Sequence, residues 1–346
     1  MAVGRALPPN YLDQEQILAA LRGLWVQKHF NVERLDDLHR AVQVSGRYLA
    51  LPLEAYPDLD RFSRQNDAWI ACAQDLGTQA VEDALSRAGL TARDVRHFFF
   101  VTVTGVATPS IDARLAWRLG MPSHVKRTPI FGLGCVAGAA GIARAADALR
   151  AHPDDCAVLL SVELCSLTLQ REDLSVANVV ASGLFGDGAA AVVLAGGARE
   201  RRGPVVLATR SVLYPDTERV MGWDVVDSGF KVVLSANVPE VIRAHLRPDV
   251  DRFLEDHGLD LSRIRHVVAH TGGPKVLEAI GAALERDRAA LDRSWRSLSE
   301  VGNLSSASVL FVLGDLLESG EAQPGDLGLL VAMGPGFCAE LVLLRW

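Results

Sequence analysis

The sequence predicts an α/β protein made from one unit used twice, and three ordered internal correspondences carry that prediction. Gly89-Leu-Thr-Ala-Arg-Asp-Val-Arg-His-Phe-Phe-Phe100 reads like Gly258-Leu-Asp-Leu-Ser-Arg-Ile-Arg-His-Val-Val-Ala269. Gly134-Cys-Val-Ala-Gly-Ala-Ala-Gly141 matches Gly302-Asn-Leu-Ser-Ser-Ala-Ser-Val309, and Phe185-Gly-Asp-Gly-Ala-Ala-Ala-Val-Val-Leu194 matches Met333-Gly-Pro-Gly-Phe-Cys-Ala-Glu-Leu-Val342. The halves are expected at 1–200 and 201–346. Their strand ends would meet near a pseudo-twofold axis, where ligand sites of open α/β folds gather.

In the first correspondence a Gly closes a helix, a short polar stretch follows, and an apolar run reads as a buried strand. The preceding segments, 75–88 and more weakly 250–256, have helix-compatible patterns. In the second, a turn leads into segments rich in small residues, Ala137 to Leu149 and Ser305 to Leu317. Small residues let a helix approach its neighbours closely, as a central helix between two sheets requires. In the third, a glycine-led turn precedes an apolar strand. The first copy is longer here, within or around 163–183, and a long connection in one copy only suits a pocket cover or a subunit contact.

Hydrophobic residues make up 49% of the 346 and charged residues 22%, enough to bury a large core. The net charge of -7 and the scatter of the 35 Lys and Arg argue against nucleic acid as a partner. The N-terminus lacks the pattern of a signal peptide, and no apolar run reads as a membrane span, so a cytoplasmic protein is expected. Five cysteines without Cys-x-x-Cys or clustered Cys/His spacing predict neither structural zinc nor a disulfide framework.

Cys135 stands at a glycine-bearing turn before a helix, where orphan amides and the helix dipole favour a thiolate and can donate to an oxyanion. A buried cysteine is also commonly a small core residue; its pairing with Asn303 across the repeat favours the nucleophile. His270 ends an apolar strand and opens into Thr-Gly-Gly-Pro, a place for catalytic imidazole. Asn303 supplies an amide at a helix start, where the plain alternative is a cap. A Cys-His-Asn set serves a hydrolase as well as a condensing enzyme. In a condensing enzyme, loss of carbon dioxide from a malonyl group gives an enolate that two neutral donors, His270 and Asn303, can stabilise while Cys135 carries the acyl chain.

These motifs, with Gly183-Leu-Phe-Gly-Asp-Gly-Ala-Ala190, Ala269-His-Thr-Gly-Gly-Pro274 and Met333-Gly334-Pro-Gly-Phe337, make nearly the whole chain resemble the type III polyketide synthases, the chalcone and stilbene synthase family. The resemblance implies a duplicated thiolase-like αβαβα fold, a homodimer, and an acyltransferase using coenzyme A thioesters as substrates, with no cofactor and no acyl carrier protein. It implies loading of a starter on Cys135, repeated decarboxylative condensation with malonyl-CoA, and cyclisation.

Carried over residue by residue, the resemblance makes Phe185 a gatekeeper and puts Val232 in place of the second gatekeeper phenylalanine. Cys165 and Thr168 fall at pocket positions, as do Val103 and Gly334, and Thr108 falls where a methionine crosses the dimer interface. Arg34, Arg40 and Arg47 are the cations proposed for coenzyme A, although Asp37 stands where the family often has a positive residue. Cys165, Val103 and Val232 make the pocket less polar and favour a fatty acyl starter giving alkylpyrones or alkylresorcinols, with Trp223 the one residue that would narrow it. The runner-up is a naphthalene-type synthase primed by malonyl-CoA. A single-condensation synthase, a thiohydrolase and a non-catalytic partner protein fit the motif series less well.

Overall fold

The computed structural model describes residues 1–25, 32–200 and 203–346. The first part of the chain runs β1 (Ala2–Ala6), β2 (Asn10–Asp13), α1 (Gln14–Trp25), α2 (Val32–Ala41), β3 (Gly46–Leu49), α3 (Phe62–Ala88), β4 (Val95–Thr102) and α4 (Ile111–Arg118). It continues through β5 (Lys126–Phe131), α5 (Ala137–Ala151), β6 (Cys156–Leu164), α6 (Val176–Leu184) and β7 (Asp187–Ala195). The rest is β8 (Val205–Leu213), β9 (Met221–Val226), β10 (Gly229–Leu234), α7 (Val238–Glu255), β11 (Ile264–Ala269), α8 (Pro274–Ala283), α9 (Asp292–Val301), α10 (Ser308–Ser319), β12 (Leu327–Gly334) and β13 (Cys338–Arg345).

Two sheets repeat one topology. The first has the order β1-β7-β6-β4-β5 and the second β8-β13-β12-β11. β4 pairs parallel with β6 as β11 does with β12, and the antiparallel partners β7 and β13 follow. Each sheet carries helices on its outer face: α3 packs on the first and α7 with α8 on the second. Between the sheets lie α5 and α10, whose Ala139, Ile142, Val309 and Leu313 join both sheets in one core. This is the five-layered thiolase-like αβαβα arrangement. The helix-closing glycines predicted at 89 and 258 adopt φ of 65° and 68°, where a side chain would be strained. The helices before them are longer than their patterns show, because outward faces of long helices on a sheet stay polar.

The small residues of α5 are required by a measurable approach. A Cβ on Gly138 would lie 2.2 Å from the Ser306 carbonyl oxygen and 3.0 Å from Val309. That contact holds the Cys135 turn against the Asn303 turn. Gly138→Ala is therefore expected to lower stability by roughly 1–3 kcal/mol through overpacking, with a further loss of activity as the two turns separate. Chemical denaturation checks it, and an unchanged midpoint would refute the close approach.

The one-copy connection departs most from the repeat. Residues 165–186 form a 3-10 turn and α6, whereas 335–337 suffice between β12 and β13. Val179 of α6 packs with Leu18, Leu21 and Trp25 of α1 in a separate small core. Among the described residues, no helix is long and apolar enough to cross a membrane.

Candidate active site

Cys135 lies in the 3-10 turn Gly134–Val136 that opens α5. Gly134 takes φ 55°, and its Cβ position falls 2.6 Å from Pro335, so only glycine fits where the two halves touch. On the opposite side Gly302, with φ 75°, turns the chain into Asn303. The backbone of Asn303 is fixed by donation to the Leu184 carbonyl at 2.9 Å and by acceptance from Gly186 at 3.0 Å. Its Oδ1 accepts from the Ser305 amide at 2.8 Å and from the Ser308 hydroxyl at 3.3 Å, which turns the amide nitrogen the other way. His270 follows β11, its backbone amide donating to the Val331 carbonyl at 2.9 Å.

Cys135, His270 and Asn303 line one cavity of about 50 Å³ together with Val103, Cys165, Phe185, Trp223 and Val232. Burial pushes the Cys135 thiol up to about 12, opposed by hydrogen bonding to Ser305 and Asn303, and Sγ donates to the Ser305 hydroxyl at 3.7 Å. Burial alone holds His270 down at about 4, and its Nδ1 has no hydrogen-bond partner among the described residues. Burial thus disfavours the charged form of both side chains.

Two participants escaped sequence reasoning. Glu163 is wholly buried at the end of β6, pushed up to about 7 by burial. It accepts hydrogen bonds from Thr104 at 2.9 Å, the Val103 amide at 3.1 Å, Thr102 at 3.3 Å and the Ser306 hydroxyl. The signal was present, since a lone acid inside the otherwise apolar run Cys156–Leu164 needs a reason to be there. Ser305 holds φ 48°, a strained position for a side-chain-bearing residue that brings its hydroxyl to the sulfur.

The remaining expected residues separate by place. Thr168 lines a second, apolar chamber of about 260 Å³ whose wall shares Cys165, Phe185, Trp223 and Val232 with the cavity. Gly334 backs the Cys135 turn, where its Cβ would meet Leu133 and Val136. Thr108 is exposed on the loop after β4, next to a cis bond to Pro109, and does not line the cavity of its own chain. Arg34 and Arg40 are exposed on α2, the latter 3.8 Å from Asp37. Arg47 corrects the expectation of a surface cation. It is only 2% exposed, bonded to Gln14 at 3.1 Å and to the carbonyls of Ser182 and Gly183, and it faces the inner chamber.

Comparison with known proteins agrees with this fold. The chain matches the chalcone and stilbene synthase N-terminal domain over residues 1–198 and the C-terminal domain over 205–346. It is 54% identical over 348 residues to a 1,3,6,8-tetrahydroxynaphthalene synthase of Streptomyces peucetius subsp. caesius, covering 100% of this chain and 92% of that protein. It is 36% identical over 357 residues to a putative chalcone synthase of Bacillus subtilis, covering 100% and 98%. Among solved structures, the 1,3,6,8-tetrahydroxynaphthalene synthase of Streptomyces coelicolor superimposes with a TM-score of 0.95 at 33% identity, covering 100% and 98% of the two chains.

Proposed function

The chain belongs to the chalcone and stilbene synthase family of type III polyketide synthases, and from that premise we propose that it primes itself with malonyl-CoA and builds a hydroxylated naphthalene. The observation that carries this reading is the full-length similarity to a tetrahydroxynaphthalene synthase. It favours a malonyl starter over the fatty acyl starter and alkylpyrone or alkylresorcinol product expected from pocket polarity. The small cavity at Cys135 supports the same choice. Val103, Val232 and Cys165 do reduce polarity there, but the bulky Trp223 lines both cavity and chamber with them.

In this reading His270 accepts the Cys135 proton as sulfur attacks the starter thioester, and coenzyme A leaves as the thiol by recovering that proton. A second malonyl-CoA loses carbon dioxide, and His270 and the Asn303 amide donate to the enolate oxygen as charge develops there. The enolate carbon attacks the Cys135 thioester, the carbon-sulfur bond breaks, and the lengthened chain stays on coenzyme A until it is reloaded. Glu163 supports the site from behind by fixing Ser306 and the strand end at Val103.

The protein is read as a homodimer joined through β5. This strand pairs on one side only, at the sheet edge, and leaves Phe131 52% exposed, with Trp117 of neighbouring α4 at 90%. A second copy would pair with that open edge, cover Phe131 and Trp117, and place its Thr108 loop nearby.

Incubation with malonyl-CoA alone, read by mass and ultraviolet spectrum, is expected to give one hydroxylated naphthalene. A requirement for added fatty acyl-CoA, with an alkylpyrone or alkylresorcinol as product, would overturn the reading.

A further inference from the structure

The chamber behind the catalytic cavity carries a charge pattern that an apolar tail does not need. Its walls include Ile17, Leu21, Leu53 and Tyr56, yet two arginines, Arg47 and Arg171, also line it. Among the described residues that form the lining, none is Asp or Glu. Arg47 makes no ion pair among the described residues. Its guanidinium is held by the Gln14 side chain and the Ser182 and Gly183 carbonyls. Within electrostatic reach are Tyr56, Cys165 and Asp187. Asp187 is itself occupied by the amides of Ala50 at 2.6 Å and Ser166 at 2.8 Å and by the Ser166 hydroxyl. A desolvated guanidinium that makes no direct ion pair with a carboxylate is costly, and burial pulls Arg47 down to about 10 against the opposing field of Asp187.

We propose that this chamber receives the far end of the growing chain and that Arg47 pairs with a carboxylate at that end. The inference rests on the malonyl-primed reading, because a chain begun on malonyl keeps a free carboxylate on the end away from its thioester. With the thioester at Cys135, the chain passes the shared wall of Cys165, Phe185, Trp223 and Val232, and its leading end meets Arg47. A methyl-ended fatty chain would instead press hydrocarbon against the guanidinium. Holding the carboxylate would also keep the chain extended until it is long enough to fold into rings.

The test is a competition between glutaryl-CoA and pentanoyl-CoA, starters of equal carbon length, with malonyl-CoA as extender and extended products counted by mass. The wild type is expected to extend the carboxylate-ended starter at least roughly tenfold faster, as a buried charge pair implies. Arg47→Lys should keep the preference and Arg47→Gln should lose it. Should Arg47→Gln fail to fold, Ala181→Asp decides, since it leaves Arg47 and its carbonyl bonds in place and puts a competing carboxylate in the chamber lining. It too is expected to lose the preference. A ratio near one in the wild type, or an unchanged ratio in the folded variants, would overturn the proposal. Failure of malonyl-CoA alone to give a naphthalene would instead sink the malonyl-primed reading, while the starter ratio would still decide the role of Arg47.

Discussion

Cys135→Ala is expected to abolish acyl-enzyme formation and lower product formation by roughly a thousandfold or more, because no other nucleophile shares its setting. The other thiol in the cavity, Cys165, is pushed up by burial as Cys135 is, but it belongs to the 3-10 turn after β6 and the wall shared with the chamber, not to the turn that opens α5. The variant should fold, since Cys135 sits in a short turn and loses only weak hydrogen bonding, to Ser305 and Asn303. It should also still release carbon dioxide from malonyl-CoA, because His270 and Asn303 remain. Intact mass after exposure to malonyl-CoA, peptide mapping and carbon dioxide release together check it. An acyl adduct on Cys165 would remove Cys135 from its assigned role.

Much of this site was legible because a duplication writes its own geometry into the sequence. Gly134-Cys135 and Gly302-Asn303 match as motifs, and the fold places both turns at the front of the two central helices. His270 was legible for a related reason, since a strand that ends in glycines opens toward something. What the sequence did not disclose depends on contacts between distant segments. Glu163 and Ser306 are far apart in the chain and meet only once the halves close.

Arg47 shows the same limit from the other side. Arg47 was expected among the cations for coenzyme A, and only the packing of β3 beneath the α6 connection shows that it turns inward. The extra connection itself was visible as a break in the repeat. Its role as a chamber wall needed α1 and the β9–β10 hairpin, which share no pattern with it. Val103, Cys165 and Val232 act on the room at Cys135 in one sense and Trp223 in the other, and only the fold shows that all four line the same cavity.

His270→Gln carries the second large effect. Removing one of two donors to the enolate, together with the base that takes the Cys135 proton, is expected to lower turnover by roughly a hundredfold to ten-thousandfold. Asn303→Ala, which removes a donor but not the base, should slow condensation while still permitting acylation of Cys135. Stability gives a readout independent of turnover. His270 falls from an ordinary 6.5 to about 4 on folding, so below pH 6.5 the unfolded chain takes up a proton that the native site refuses. Its contribution therefore favours folding above pH 6.5 and is lost as pH falls toward 4, a change of roughly 3 kcal/mol. Glu163, raised from 4.5 to about 7, acts in the opposite sense: the native state holds its proton longer, so folding loses ground as pH rises from 4.5 to 7. In the wild type the two nearly offset each other across one window. His270→Gln removes only the first, so relative to the wild type its stability should fall as pH rises from about 4 to 6.5, with the variant relatively more stable in acid. Urea denaturation at several pH values measures that difference, and parallel curves for the two proteins would show that His270 is not held neutral by burial.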